Sequence, residues 1–185
     1  MGHGNQAAME SRQAVELLRM CLDAGYDRAQ TLTAVNGMML LAGQGERFTT
    51  VDLFLLDLWT GKASLDKLGA ACSYLMQSEG LSLLGGDALP LGILENVESG
   101  EKLMQLHQGD TLILLSDGVE DAYENRQSME ETIRDALTLE TAQDAANAIL
   151  TGAQSGDTAP ADDQTVLVLR LIRARADAKI EEMYQ

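Results

Sequence analysis

Basic side chains are scarce in this sequence, and so is cysteine. Thirteen Lys and Arg stand against 29 Asp and Glu, giving a formal net charge of −16 at pH 7. Only Arg170, Arg173 and Arg175 come close together. Phosphate backbones reward clustered Lys and Arg, so the composition argues against a nucleic-acid partner. The two cysteines, Cys21 and Cys72, sit in apolar surroundings without CxxC spacing or a Cys/His pairing. They read as buried free thiols in a reducing compartment, which excludes a disulfide scaffold. No apolar run approaches the ~20 residues needed to cross a bilayer. The opening Met1-Gly2-His3-Gly4 has neither the basic nor the apolar region of a signal peptide. The chain reads as soluble and cytoplasmic, with no membrane segment of its own.

What is present is ordinary globular material. A chain of 185 residues that is 45% hydrophobic can bury a real core, and its glycines follow no period. Val15, Leu18 and Leu22, flanked by Ala14, Leu17 and Cys21, form an apolar stripe at helical spacing, and Gly25 supplies a stop. Asp27 with Gln30 resembles a capping box ahead of a second helix carried by Leu32, Val35 and Met39. Thr49 to Leu58 reads as a buried strand, and Thr60-Gly61 turns it into Ala63 to Leu68. Gly69 to Met76 and Gly80 to Leu84 suggest further strands. Leu103 to Leu106 and Thr111 to Ser116 are expected to form a hairpin around Gln108-Gly109-Asp110. Two helices follow, capped by Ser128 with Glu131 and by Thr141 with Asp144, the second ending at Gly152. Thr165 to Ile172 is a last strand. Hairpin-joined strands between helix blocks argue for an antiparallel α+β fold, without internal repeats or a linker.

The chemistry concentrates at two strand ends. Thr111-Leu112-Ile113-Leu114-Leu115 runs directly into Ser116-Asp117-Gly118, and Asp162-Asp163 leads into the last strand. A carboxylate at the end of a buried strand is costly unless a cation meets it. Mg²⁺ and Mn²⁺ take oxygen ligands and keep several waters, so a few carboxylates suffice. An Asp-Gly after a strand is equally a turn signal, and spacing alone leaves both readings open.

The surrounding residues add a resemblance. Gly109-Asp110-Thr111 leading into Leu114-Leu115-Ser116-Asp117-Gly118-Val119-Glu120-Asp121-Ala122, and Ala161-Asp162-Asp163-Gln164-Thr165-Val166, resemble two motifs of the metal-dependent protein phosphatases of the 2C type. Within them the sequence is most similar to the stage II sporulation protein E group. Phe48 to Leu53, Asp57-Leu58-Trp59-Thr60-Gly61, Lys67 to Ala71, Leu89 to Leu94 and Val35 to Leu41 support it in the right order. The resemblance implies an antiparallel β-sandwich flanked by helices, in α-β-β-α layers, over residues 1–173, followed by a charged tail over 174–185. It implies metal ligation by Asp117 and Asp162, with Asp163 as an accessory ligand, to Mn²⁺ or Mg²⁺. It further implies water attack on a phosphoserine or phosphothreonine protein, an anti-sigma-factor antagonist in the sporulation group, where the whole protein is membrane-bound with a cytoplasmic phosphatase domain. The helices from Gln6 to Leu41 would be its regulatory switch.

One departure accompanies the match. The group's first motif reads Asp-Gly-Met-Gly-x-Gly, and this chain starts at its Met, so the metal-bridging Asp, its Gly and the first strands are expected to be missing. The expected consequences are little hydrolysis by the chain as given, activity once upstream sequence ending in Asp-Gly is supplied, and self-association through an uncovered sheet edge. The alternative is a catalytically impaired remnant acting as a regulatory or protein-interaction module. His3 and His107 read as exposed or structural. Ser116 has no His or Lys base beside it, so it reads as packing and not as a nucleophile. Asp52 and Asp57 read as partners of turns or a sheet edge, and the nine Met residues as core filling.

Overall fold

In the computed structural model, which describes residues 5–43, 48–97, 99–155 and 162–172, the elements run α1 (Asn5–Asp23), α2 (Arg28–Gly43), β1 (Val51–Leu56), β2 (Lys62–Leu68), β3 (Ser73–Gln77), β4 (Gly80–Leu84), β5 (Lys102–Gln105), β6 (Thr111–Leu115), α3 (Asp117–Glu120), α4 (Arg126–Ala136), α5 (Ala142–Ala153) and β7 (Val166–Arg170). The chain divides into two compact units, Met1–Cys72 with Gly85–Met104, and Ser73–Leu84 with Gln105–Gln185. Every strand pair with a defined register is antiparallel. Among the described residues, no helix is long and apolar enough to cross a membrane. The expected tail over 174–185 and His3 lie outside the described residues.

The first unit lays α1 and α2 over a three-stranded sheet of order β1-β2-β5. The two helices meet at Gly25, whose φ of 86° few side chains tolerate. Asp27 and Gln30 form the reciprocal capping box: Gln30 N donates to Asp27 Oδ1 at 2.8 Å, and Asp27 N to Gln30 Oε1 at 3.1 Å. Ala14, Leu18 and Cys21 of α1 pack with Leu32, Val35 and Met39 of α2, and with Leu53, Leu68 and Leu91. Each fully buried aliphatic side chain here contributes roughly 1.5–3 kcal/mol relative to exposure. Val15, expected in the stripe, is instead 61% exposed, because the buried face is centred one residue earlier on Ala14. Two carboxylates inside this unit are spent on cations. Asp66 is fully buried and meets the Arg28 guanidinium, which also bonds Glu101 at 2.9 Å. Asp52 stands opposite Lys67 in register, and the Lys67 ammonium lies 2.7 and 2.9 Å from its two oxygens.

The second unit stacks α4 and α5 on a four-stranded sheet of order β4-β3-β6-β7. Tyr74, Ile113, Leu115, Met129, Ile133 and Ile149 lead its core. Leu103 to Ser116 does not form the expected hairpin. The turn around Gly109 exists, with Asp110 N bonded to His107 O at 3.1 Å, yet β5 pairs with β2 while β6 pairs with β3 and β7. Helix α4 is capped by Asn125, which accepts from Ser128 N at 2.9 Å, so Ser128 lies inside the helix it was expected to start. Thr141 caps α5 as expected, accepting from Asp144 N at 3.0 Å. Helix α5 ends one residue beyond Gly152, close to the expected stop. At Gly152 a Cβ would come 2.5 Å from the Tyr123 hydroxyl and 2.9 Å from Thr132 Cγ2. Arg170 is spent structurally, donating to the carbonyls of Leu137, Leu139 and Glu140 beyond α4 at 2.9–3.1 Å.

Candidate functional site

Strands β6 and β7 are direct neighbours, with Leu115 opposite Val166. The residues just past the end of β6 therefore lie beside those just before β7. This antiparallel pairing alone brings Asp117 to the same end of the sheet as Asp162 and Asp163.

Short-range bonds then weld the two segments. Ser116 N donates to Thr165 O at 3.0 Å, and Thr165 N donates back to Ser116 Oγ at 2.9 Å. Ser116 Oγ itself donates to Asp163 O at 3.1 Å. Its hydroxyl is thus occupied on both sides and makes no cap bond to α3, consistent with packing and not with nucleophilic chemistry. Gly118 sits directly under the Asp162–Asp163 peptide: a Cβ there would lie 2.5 Å from Asp163 O and 3.2 Å from the Asp162 carbonyl carbon. Only glycine lets the backbones approach this closely. Gln164 completes the weld, its Nε2 donating to Gly118 O at 3.1 Å while its buried Oε1 has no partner.

The three carboxylates are held to different degrees. Asp117 is half-buried in the first turn of α3, and among the described residues its Oδ1 accepts from the neighbouring Gly118 N, at 3.0 Å. The next backbone donors are already used, since Val119 N and Glu120 N both bond Ser116 O. Asp162 is half-buried and its Oδ1 accepts from Asp163 N at 2.8 Å, while Asp163 is exposed. Among the described residues no ion pair involves Asp117. The donor set is hard carboxylate oxygen, the type Mg²⁺ and Mn²⁺ take, and such ions complete their shells with water. Among the described residues, no group of three or more His, Cys, Asp and Glu is placed to hold a metal. The residues present thus fit a hard divalent cation in kind.

Of the other carboxylates named from sequence, Asp57 caps a turn as expected, whereas Asp52 meets a side-chain cation and not a turn or sheet edge. Asp57 Oδ1 accepts from Trp59 N at 2.8 Å and Thr60 N at 3.1 Å, which together hold its carboxyl below the ordinary value of 3.8. Asp52 meets Lys67. The His107 side chain is 71% exposed, 3.8 Å from Asp110. Gly118 and Gln164 were not singled out for the site. Their signal lay in the strand pairing: with β6 beside β7, the residue after Asp117 must pass beneath the Asp162–Asp163 peptide.

Comparisons with known proteins bear on this arrangement. Residues 1–172 match the family described as Stage II sporulation protein E (SpoIIE). A stage II sporulation protein E from Priestia megaterium is 30% identical over 119 residues, which make up 64% of this chain and 20% of that protein. The chain thus spans about a fifth of the length of that curated relative. The solved PP2C phosphatase domain of SpoIIE from Bacillus subtilis, with a fragment of its regulatory domain, has a TM-score of 0.80 and 27% identity, covering 92% of this chain and 52% of that one. The catalytic domain of the serine/threonine phosphatase PstP, solved with two manganese ions, shares the fold at a TM-score of 0.68 and 20% identity, covering 88% of this chain and 82% of that one. The fold class is α+β, of the protein phosphatase 2C type.

Proposed function

This chain belongs to the stage II sporulation protein E family, and from that premise we propose that it is a metal-dependent serine/threonine phosphatase domain acting on a phosphorylated regulatory protein. The family is one of hydrolases of the 2C type. The substrate class we assign is an anti-sigma-factor antagonist carrying phosphoserine or phosphothreonine, met in the cytoplasm. The observation that carries the reading is the weld of Ser116, Gly118 and Gln164, which holds Asp117 and Asp162 at one sheet end.

In this reading Asp117 and Asp162 hold Mn²⁺ or Mg²⁺, and the exposed Asp163 adds a further oxygen. Such ions, when bound, acidify a water and clamp the phosphoryl oxygens. The chain's own contribution is positional. Ser116 fixes the start of β7, Gln164 fixes the Gly118 carbonyl, and the missing Cβ at Gly118 sets how close the two carboxylate-bearing segments come.

The test is titration with Mn²⁺, together with phosphate release from a phosphoserine protein by a polypeptide in which sequence ending in Asp-Gly precedes Met1. Asp117→Asn is expected to weaken Mn²⁺ binding and turnover by at least about 10–100-fold, with the urea midpoint unchanged. Equal Mn²⁺ affinity and turnover in Asp117→Asn would sink the assignment. A folded protein that neither binds Mn²⁺ nor releases phosphate would instead be a regulatory or protein-interaction module.

A further inference from the structure

The loop from Gly85 to Gly100 belongs to the first unit, and the phosphatase reading leaves it without a task. It is stitched down between Ala88 and Glu95. Gly69 N donates to Ala88 O at 2.8 Å, and Thr49 and Leu91 exchange backbone bonds of 3.0 and 2.9 Å. Asn36, only 2% exposed on α2, donates to the carbonyls of Leu94 and Glu95 at 2.8 and 3.3 Å and accepts from Gly92 N at 2.8 Å. Three of the four hydrogen bonds open to the Asn36 amide thus go into shaping one loop. A wall built this way is ordered before any ligand arrives, which lowers the entropic cost of binding.

That wall, with α2 and the end of β2, encloses a cleft of about 850 Å³, within the range of ligand sites. Leu89 and Leu94, 50% and 55% exposed, and the half-buried Val97 give it apolar surface above the buried Leu68 and Leu91. Asp87 and Glu95 also line it, both exposed, and among the described residues neither forms an ion pair. The cleft therefore combines an apolar floor with two uncompensated negative charges, on a chain whose formal net charge is −16.

We propose that this cleft docks a peptide segment of a partner protein in which aliphatic side chains are flanked by Lys or Arg. Apolar surface does not offset the lost hydration of a purely ionic occupant such as phosphate, and the two carboxylates repel it. The two carboxylates and the field of the whole chain repel an acidic segment and attract a basic one. A volume this large admits more than one Leu-sized side chain, which suits a peptide better than a single residue. The site uses none of Asp117, Asp162 or Asp163, so it stands or falls separately from the phosphatase assignment.

The experiment uses the intact chain and two short fluorescein-labelled peptides, one of Leu and Lys, the other with Glu in place of Lys. In fluorescence anisotropy the basic peptide is expected to bind about tenfold or more tighter than the acidic one, with affinity falling as salt rises. Methyl chemical shifts of Leu94 and Val97 are expected to move with it. The double substitution Asp87→Lys with Glu95→Lys, at two exposed positions that leave the fold intact, is expected to reverse the preference. Equal binding of the two peptides, binding untouched by that charge reversal, or no binding of either would overturn the proposal.

Discussion

Asp57 and Asp117 stand at the same place in two strands of the two units, directly or nearly after the last paired residue, and they come to opposite uses. After β1 the chain reverses in a tight turn, so the N–H groups of Trp59 and Thr60 fold back onto Asp57 Oδ1. After β6 the chain enters α3, whose first N–H groups are claimed by the Ser116 carbonyl, and Asp117 Oδ1 keeps a single neighbouring N–H. A strand-end aspartate is therefore a turn cap or is left largely uncapped according to whether the following backbone donors point back or forward. Asp66, inside β2, shows a third outcome. No backbone donor is free within a ladder, and its charge is met by the Arg28 side chain.

The largest effect is expected where the cation is internal. Arg28 is the first residue of α2, and replacing it by Met would leave the fully buried Asp66 carboxylate without its cation. Breaking a buried pair from one side costs about 3–5 kcal/mol. Urea denaturation of Arg28→Met is expected to show a loss of that order, whereas Asp117→Asn, with no protein cation to orphan, is expected to stay within about 0.5 kcal/mol of the parent. A small change in Arg28→Met would mean that water reaches Asp66, and the three-way distinction would collapse into two.

Next in size is the close approach that brings the second unit's acidic ends together. Gly118→Ala would push a Cβ against Asp163 O, a backbone atom that cannot swing aside as a side-chain tip can. Overpacking of this kind costs about 1–3 kcal/mol. Gly37→Ala is the internal control: within α2 its Cβ would meet nothing within 4 Å, and it is expected to stabilise by about 0.5–1 kcal/mol. The informative readout is Mn²⁺ affinity measured well below both melting temperatures. A loss in Gly118→Ala with none in Gly37→Ala ties the spacing of the two segments to the metal; equal affinity in both separates them.

The sequence made some of these elements legible and hid others for one physical reason. Signals that act over three or four residues were readable: the Asp27/Gln30 and Thr141/Asp144 caps, the Thr60-Gly61 turn, and the acidic ends of β6 and β7. Properties set by long-range pairing were not. Leu103 to Leu106 and Thr111 to Ser116 look like a hairpin because a good turn joins them, yet β5 finds its partner in β2. Gly152 does fall at the end of α5, but the close approach of Tyr123 and Thr132 to it has no signal in the sequence. Gly118 and Gln164 carry no motif chemistry of their own, and their role exists only once β7 lies against β6. Ser128 misled for the opposite reason: its hydroxyl and Asn125 share one hydrogen-bonding turn, with Ser128 Oγ bonded to Asn125 O at 2.8 Å, so either residue suits a cap by type.

The smallest expected effect sharpens the comparison most directly, because it isolates the turn cap from everything else. The backbone donors of Trp59 and Thr60 favour the charged form of Asp57, so its folded pKa lies below the ordinary 3.8. The sign follows from linkage: a carboxyl with a depressed folded pKa binds protons more readily when the chain is unfolded, so its contribution is complete above the ordinary value and fades as pH falls through the lower folded one. Asp57→Asn keeps an oxygen in position to accept the same two bonds but removes the charge. The parent is therefore expected to exceed Asp57→Asn in urea midpoint at neutral pH, and the gap is expected to close as pH drops below 3.8 toward the folded value. A gap that stays constant down to that acid limit would show that Asp57 acts through shape alone. Its contrast with Asp117 would then rest on turn geometry and not on how each carboxylate's charge is used.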